Sequence, residues 1–394
     1  MAPFLLLIIN LSLAESVPLE SQGGEINKWE DKRLDGVPKL FKSSGYDRSR
    51  MPHDADGLLR VEAELNLRNI MRVDEREKMI SLEVTLRLFW VDKRVHLNPA
   101  IPLENCDTDG SYVVLHPSTA DSLWIPDLFI DMVKEIRTPT IRIPTSSVRL
   151  YNNSLIRFAK RFNFDVSCQM DFHKYPVDKQ TCVIHFESFS LTDKELKLSW
   201  RPTGNNVNNI TLDQFTHSVN IRESYTTNSY RQKFAGLQFT LYLRRNIYYH
   251  LVQTYIPSLL LVLLSWGSMF VHSSAPARVG IGMTALLSLI SMFGHTRSMV
   301  PHTCYVSYLD GWMLFCIVLV FLCIMEYIIN LCILATYYTR IADRVSWWTR
   351  CVGAPVILVV FNLVYWLLLI EHHLTEHHVE QTFQRHTPVN CTVD

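Results

Sequence analysis

Apolar and polar positions follow two different rhythms in this chain, with the change near residue 246. Before it, Ser81-Leu-Glu-Val-Thr-Leu-Arg-Leu-Phe-Trp90 and Gln232–Leu243 alternate over much of their length, and Arg157–Val166 does so more weakly. That is the period of strands with one buried face. Turn-rich sequence divides them at Asp107-Thr-Asp-Gly110, Pro202-Thr-Gly204 and Asn205–Asn209. Long helical crossovers are missing, so residues from about 57 to 245 predict an antiparallel β-sandwich.

After 246 the apolar runs lengthen. Ile247–Phe270, Leu309–Leu331 and Val352–Ile370 read as membrane spans, with Pro257 tolerable inside the first where a neighbouring helix covers the freed carbonyl. Between the first two lies Ala275–Arg297, which is too polar for an ordinary lipid-embedded span. Arg278 and Arg297 are separated by 18 uncharged residues. As a helix that segment rises about 28 Å, close to a bilayer core of about 30 Å. Gly280, Thr284, Leu287 and Ser291, spaced four, three and four, form one stripe that is polar except for the leucine. It suits a water-filled pore made from several copies around an axis. A polar seam inside a monomeric bundle is the other reading.

Four crossings put both termini on one side. The sequons at Asn152, Asn209 and Asn390 ask for the same thing, since glycosylation would place both ends outside. Arg340, Arg344 and Arg350 in the loop at about 333–351 supply a modest positive-inside signal, and Tyr337–Trp348 reads as a basic amphipathic helix beneath the membrane. The expected layout is therefore a signal peptide at 1–14, an extracellular sandwich at 15–245, a four-helix membrane domain at 246–370 with that short cytoplasmic loop, and an extracellular tail at 371–394. For the apolar run at 4–13, a buried N-terminal strand is the alternative to a signal peptide.

Composition narrows the class. The 394 residues leave room for two domains, formal net charge is zero and 19% of residues are charged, which argues against a nucleic-acid partner. Nine cysteines form no dense disulfide scaffold; Cys316, Cys323 and Cys332 lie in apolar sequence, and the pairing of Cys106, Cys304 and Cys391 stays open. No nucleotide motif or catalytic constellation suggests an enzyme.

Cys168-Gln-Met-Asp-Phe-His-Lys-Tyr-Pro-Val-Asp-Lys-Gln-Thr-Cys182 has 13 residues between its cysteines and Tyr175-Pro176-x-Asp178 at its centre. With Trp124-Ile-Pro-Asp127-Leu-Phe129, Trp200, Pro257-Ser-Leu-Leu, Pro276-Ala-Arg-Val-Gly-Ile-Gly282 and Phe361-Asn-Leu-Val-Tyr-Trp366, it closely resembles the Cys-loop, or pentameric ligand-gated ion channel, family over about 57–370. The resemblance implies a pentamer, so each subunit has four further subunits and membrane lipid as partners. It implies an extracellular sandwich of about ten strands, a second helix lining the pore, and a Cys168–Cys182 disulfide that restrains a protrusion against the membrane domain. It also implies a coupling pair, Asp178 with Arg245, or else solvent-exposed charges with little coupling.

Ion sign follows from the inner end of the second helix. Cation channels of the family usually carry an acidic residue just before the basic one; here Pro276-Ala277 precede Arg278, as in the anion-selective branch. Without a carboxylate, a ring of Arg278 and the helix dipole would favour an anion, with Arg297 as an outer ring. Opposite charges 8 Å apart attract by roughly 2 kcal/mol at an effective dielectric of 20. Chloride is the expected permeant ion. Leu287 would be a dewetting gate, or an ordinary packing residue.

The agonist is less legible. The resemblance maps one pocket face onto Phe129, Glu187, Ser188, Phe189, Tyr230 and Phe234, and a complementary face onto Arg87 and Arg161. Aromatics with Glu187 would hold an amine and Arg87 a carboxylate, as a zwitterionic transmitter such as glycine, GABA or glutamate, or an amine such as histamine, would require. Thr85 stands where an aromatic is often found, and Tyr225–Phe234 lacks the second cysteine pair of glycine and glutamate receptors. His173, His185, His295 and His302 offer a different trigger, protons or a Zn²⁺ ligand, as in the insect pH- or zinc-sensitive chloride channels of this family. Movement of the disulfide loop against His302–Tyr305 would then widen the pore.

Overall fold

The computed structural model describes residues 46–53, 56–95, 105–139, 145–201, 206–207, 210–229, 232–271, 277–300, 303–335 and 339–384. The expected signal peptide, Asn209, Tyr230, Pro276, His302 and Asn390 lie outside the described residues.

Alternation becomes strands where it was expected. They are β1 Leu59–Asp74, β2 Met79–Val91, β3 Asn105–Asp107, β4 Gly110–Leu115, β5 Leu128–Ile130, β6 Val133–Arg137 and β7 Ser146–Tyr151. After them come β8 Leu155–Ser167, β9 Lys179–Thr192, β10 Leu196–Trp200, β11 Asn206–Val207, β12 Phe215–Ser229 and β13 Gln232–Arg245. One sheet runs β10-β1-β2-β8-β7-β4-β3, with β11 on β1 and β6 on β8; the other runs β12-β13-β9-β5. Thirteen strands among the described residues exceed the expected ten or so. The two-residue β11 and three-residue β3 and β5 are too short for alternation to show. Pairing is antiparallel except where β10 and β11 lie parallel to β1. There the chain leaves β9 of one sheet and enters the other alongside β1, in the same direction.

The inward positions make the core. Val61 and Leu67 of β1 stand opposite Trp90 and Val84 of β2, while Ile184, Phe186, Leu237 and Phe239 come from the other sheet, all buried. Each such aliphatic or aromatic side chain contributes about 1.5–3 kcal/mol through burial.

Four helices are long and apolar enough to cross a membrane: α1 Tyr248–Ser268, α2 Ala277–Met299, α3 Tyr308–Ala335, and a last span over Arg344–Glu371. In α1 a π-helical turn at Leu251–Tyr255 precedes Pro257, relaxing the backbone where proline removes a donor. An aromatic cluster of Tyr255, Trp312, Phe361, Tyr365 and Trp366 joins α1, α3 and the last span. Tyr255 and Tyr365 share a hydroxyl hydrogen bond of 2.6 Å, and Trp312 Nε1 donates to Ser258 Oγ at 2.8 Å.

The segment at 333–351 is largely helix: α4, Thr339–Trp348, passes through a π turn at Thr349–Gly353 directly into α5, Ala354–Gln384. Helical dihedrals at Trp348 and Ala354 keep the path unbroken, so the expected helix over this segment runs on into the last span. At the other end, α5 runs on through Gln384, where a tail was expected from 371.

Candidate functional site

Four of the twelve residues from Arg278 to Leu289 decide how α2 is turned. Arg278, Gly282, Ala285 and Leu289 are buried, at spacings of four, three and four. The predicted stripe, Gly280, Thr284, Leu287 and Ser291, has the same spacings displaced by two residues, which is about 200° around a helix. All four stripe residues are exposed, Leu287 at 66%. Ala277, Gly294, His295 and Ser298 extend that open face to both ends. The small inward residues hold the orientation, since a Cβ on Gly282 would stand 2.8 Å from Ile324 Cγ1 of α3. Thr284 and Ser288 return their hydroxyls to α2 carbonyls one turn back, at 3.0 and 2.8 Å.

The two arginines expected as pore rings each have a carboxylate partner within the subunit. Arg278 is 4% exposed and faces the bundle interior, ion-paired with Glu326 of α3 and lying over the Tyr327 ring at 5.0 Å. A cation on that face has to be matched by a carboxylate, and Glu326 supplies it. Arg297 is only half withdrawn, with its guanidinium 2.9 Å from Asp310. Both charges are therefore compensated within the subunit. Glu326 escaped the sequence reading, although a lone carboxylate in an otherwise apolar span was a signal for it.

At the junction between sandwich and helices, the expected Asp178–Arg245 pair is present and buried. Arg245 Nε donates to Asp178 Oδ1 at 2.7 Å and Nη2 to Oδ2 at 3.1 Å; Glu75 takes Nη1 at 2.6 Å. Arg245 also lies over the rings of Tyr175 and Phe215. Burial alone would lower its pKa, but the two carboxylates outweigh that and hold it above the ordinary value. Tyr175, pushed up by its own burial, meets His250 Nε2 at 3.3 Å. His250 was another omission, although a lone imidazole inside the apolar run Ile247–Phe270 was a signal for it.

The Cys168–Cys182 loop reaches the α2–α3 connection. His173 stacks on Tyr305, centroids 3.6 Å apart, and Tyr305 Oη accepts from the Phe172 N–H at 3.0 Å. Two backbone bonds finish the contact, Tyr308 N–H to His173 O and Leu309 N–H to Tyr175 O. His173 Nδ1 is 2.6 Å from Asp171, whose carboxyl is held below its ordinary pKa first by the His173 N–H and then by the ring. Cys168 and Cys182 are both buried and adjacent, but they stand as free thiols where the resemblance implies a disulfide. The Cys182 thiol is pushed up by its hydrogen bond to Cys168 and by burial. Cys106 and Cys304 are exposed thiols.

The residues mapped to agonist binding fall on two sheets. Register pairs Phe129 with Glu187, and Phe129 and Phe189 meet edge-to-face at 5.9 Å. Ser188 is buried and donates to Asp127 at 2.7 Å, which makes it a support for the loop. Phe234 is half-buried, opposite Thr192. Arg87 pairs with Glu64 at 3.2 Å and Arg161 Nε donates to Glu83 at 2.6 Å, both on the other sheet. Each arginine thus already has a carboxylate. A cavity of about 300 Å³ opens beside Phe129 among Leu86, Leu88, Phe158 and Lys160.

Among the described residues, His173, His185 and His295 lie on three separate elements. His185 is half-buried on β9, and His295 is exposed near the C-terminal end of α2. Among the described residues no three His, Cys, Asp or Glu side chains form a metal-binding group. Asn152 is exposed in the turn between β7 and β8.

Comparison with known families covers most of this architecture. The model for the neurotransmitter-gated ion-channel ligand binding domain matches residues 36–247, and that for the neurotransmitter-gated ion-channel transmembrane region matches 254–340. The first alone spans more than half of the chain, and together they take in the sandwich, the loop at its base and the first three helices. The chain belongs to the neurotransmitter-gated, or Cys-loop, family of pentameric ligand-gated ion channels.

Proposed function

We propose that this subunit forms an anion channel, carrying chloride passively across the plasma membrane when an agonist binds at extracellular subunit boundaries. The observation that carries the reading is the open face of α2. From Ala277 to Ser298 it presents small, hydroxyl and apolar side chains with the imidazole of His295, and no carboxylate. With Arg278 paired inside the bundle, favourable charge at the inner mouth comes from the N-terminal end of the α2 dipole at Ala277. The ring of Leu287 closes the path by dewetting. Both termini are extracellular in this arrangement, Asn152 is available for glycosylation, and export favours oxidation of Cys168 and Cys182 to a disulfide.

A second reading concerns the trigger. The stacking of His173 on Tyr305 puts a titratable, metal-competent ring at the contact between sandwich and helices. Zinc or protons would then act there directly, in place of a transmitter held by Phe129, Glu187 and Phe189. His173 with Asp171 offers two donors, so a zinc site needs others from elsewhere.

One expression experiment addresses both. Reversal potential should follow the chloride gradient when sodium is replaced by an impermeant cation; tracking sodium would reject anion selectivity. A panel of amines, amino acids, zinc and pH steps on the same cells should name the trigger. Current with zinc or acid and none with any transmitter would discard the transmitter reading.

A further inference from the structure

Glu326 makes more contacts than pairing requires. One carboxylate oxygen takes Arg278 of the pore helix, and the other accepts from Asn330, from Ser346 Oγ at 2.9 Å and from Thr349 Oγ1 at 3.5 Å. Asn330 lies one turn along α3, whereas Ser346 and Thr349 belong to the first turns of the last span. Arg278 sits next to Ala277, the first residue of the open face, about 100° around the same turn. A guanidinium on a flexible side chain there has two destinations, the carboxylate inside or the water of the inner mouth.

We propose that Glu326 is a specificity-determining positioning residue: it withdraws and neutralises the Arg278 charge, and so sets the electrostatic bias that a permeating ion meets at the inner mouth. The proposal rests on α2 lining the pore, but the direction of its effect does not depend on which ion the wild-type channel prefers. With the pair intact the mouth carries no net charge from Arg278. With Glu326 neutral, five uncompensated cations stand beside the ion path. With Arg278 neutral, five carboxylates stand behind it. Ser346 and Thr349 fix the carboxylate in the geometry that reaches Arg278, tying the selectivity of the pore to the seating of the last span.

Reversal potentials in sodium chloride dilution gradients test this on the full-length channel. Glu326→Gln should raise the anion-to-cation permeability ratio by about twofold or more, the Boltzmann factor for a unit charge about 8 Å away in a water-like medium. Arg278→Gln should lower it, and the Arg278→Gln/Glu326→Gln double variant should return to the wild-type ratio. Glu326→Asp, which keeps the charge on a shorter arm, should fall between wild type and Glu326→Gln. A channel that merely lost packing would change current amplitude and leave the ratio alone. Unchanged ratios in both single variants, or a double variant equal to the sum of two shifts of one sign, would overturn the proposal. If Glu326→Gln does not reach the surface, Ser346→Ala with Thr349→Val loosens the same carboxylate and should move the ratio in the same direction; no movement there counts against it. A sodium-tracking wild type would refute anion selectivity and leave this comparison readable.

Discussion

Arg245, the last residue of β13, holds Asp178 of the cysteine loop through two hydrogen bonds of 2.7 and 3.1 Å, with both side chains 2% exposed. The pair therefore fastens the strand that enters the membrane to the loop that touches the α2–α3 connection. Removing Arg245 leaves Asp178 buried and unmatched, at a cost of about 3–5 kcal/mol, and removing Asp178 leaves Arg245 with one carboxylate, Glu75, in place of two. Asp178→Asn and Arg245→Gln should each lower surface expression severely, as cell-surface labelling will read. A double replacement by apolar residues of similar volume should recover part of it. Normal expression of both single variants would show the charges to be solvated.

What could be read beforehand follows from where the information lies. A helical stripe is local, so Gly280, Thr284, Leu287 and Ser291 were found from their spacing, and the structure turns them outward together. The companion stripe at the same spacing went unread because Arg278 looked like a pore charge. Its partner is 48 residues on, and sequence distance hides such pairs. Asp178 and Arg245 are 67 apart and were found only because a family pattern stood in for spatial information. Without that aid, Glu75 joining the same cluster and His250 against Tyr175 were both missed. Strand number failed for a simpler reason: two- and three-residue strands carry no period.

Leu287 is 66% exposed although it is the one large aliphatic side chain of the predicted stripe. In a pentamer five such side chains would face one another across water, and a narrow apolar ring expels it. Leu287→Thr should allow the constriction to wet at rest. The expected readout is a standing current without agonist and a half-maximal agonist concentration lower by about tenfold, equivalent to roughly 1.4 kcal/mol on the opening equilibrium. A silent, unshifted channel would assign Leu287 to packing.

Tyr305 carries the contact with the cysteine loop by stacking on His173 and by accepting the Phe172 N–H. An aromatic pair contributes about 0.5–1.5 kcal/mol beyond its buried area. Tyr305→Ala should leave assembly intact but reduce the maximal agonist-evoked current, with Tyr305→Phe close to wild type if stacking dominates. Equal loss in both variants would move the weight to the hydroxyl.

The absence of a carboxylate at Ala277 is tested by adding one. Ala277 is exposed at the start of α2, on the open face. A glutamate there would bring five negative charges to the inner mouth, where they attract cations and offset the helix dipole. Ala277→Glu should shift the reversal potential toward the sodium equilibrium value. A shift in the opposite direction would remove Ala277 from the ion path.

The Asp171 carboxyl sets a limit on acid sensitivity at the same contact. It is held below its ordinary value of 3.8 by the backbone N–H and ring of His173. A carboxyl whose folded pKa is depressed contributes stability that is fully present above the unfolded value and is lost as pH falls through the folded one. The Asp171 contribution should therefore be constant from neutral pH down to about 5 and should fade only below about 4. Thermal unfolding of purified channel should show a fixed gap between wild type and Asp171→Asn over the upper range, closing in stronger acid. A gap that closed between about pH 7 and 6 would instead tie the interaction to protonation elsewhere at this junction, and would make it a direct participant in any response of the channel to mild acid.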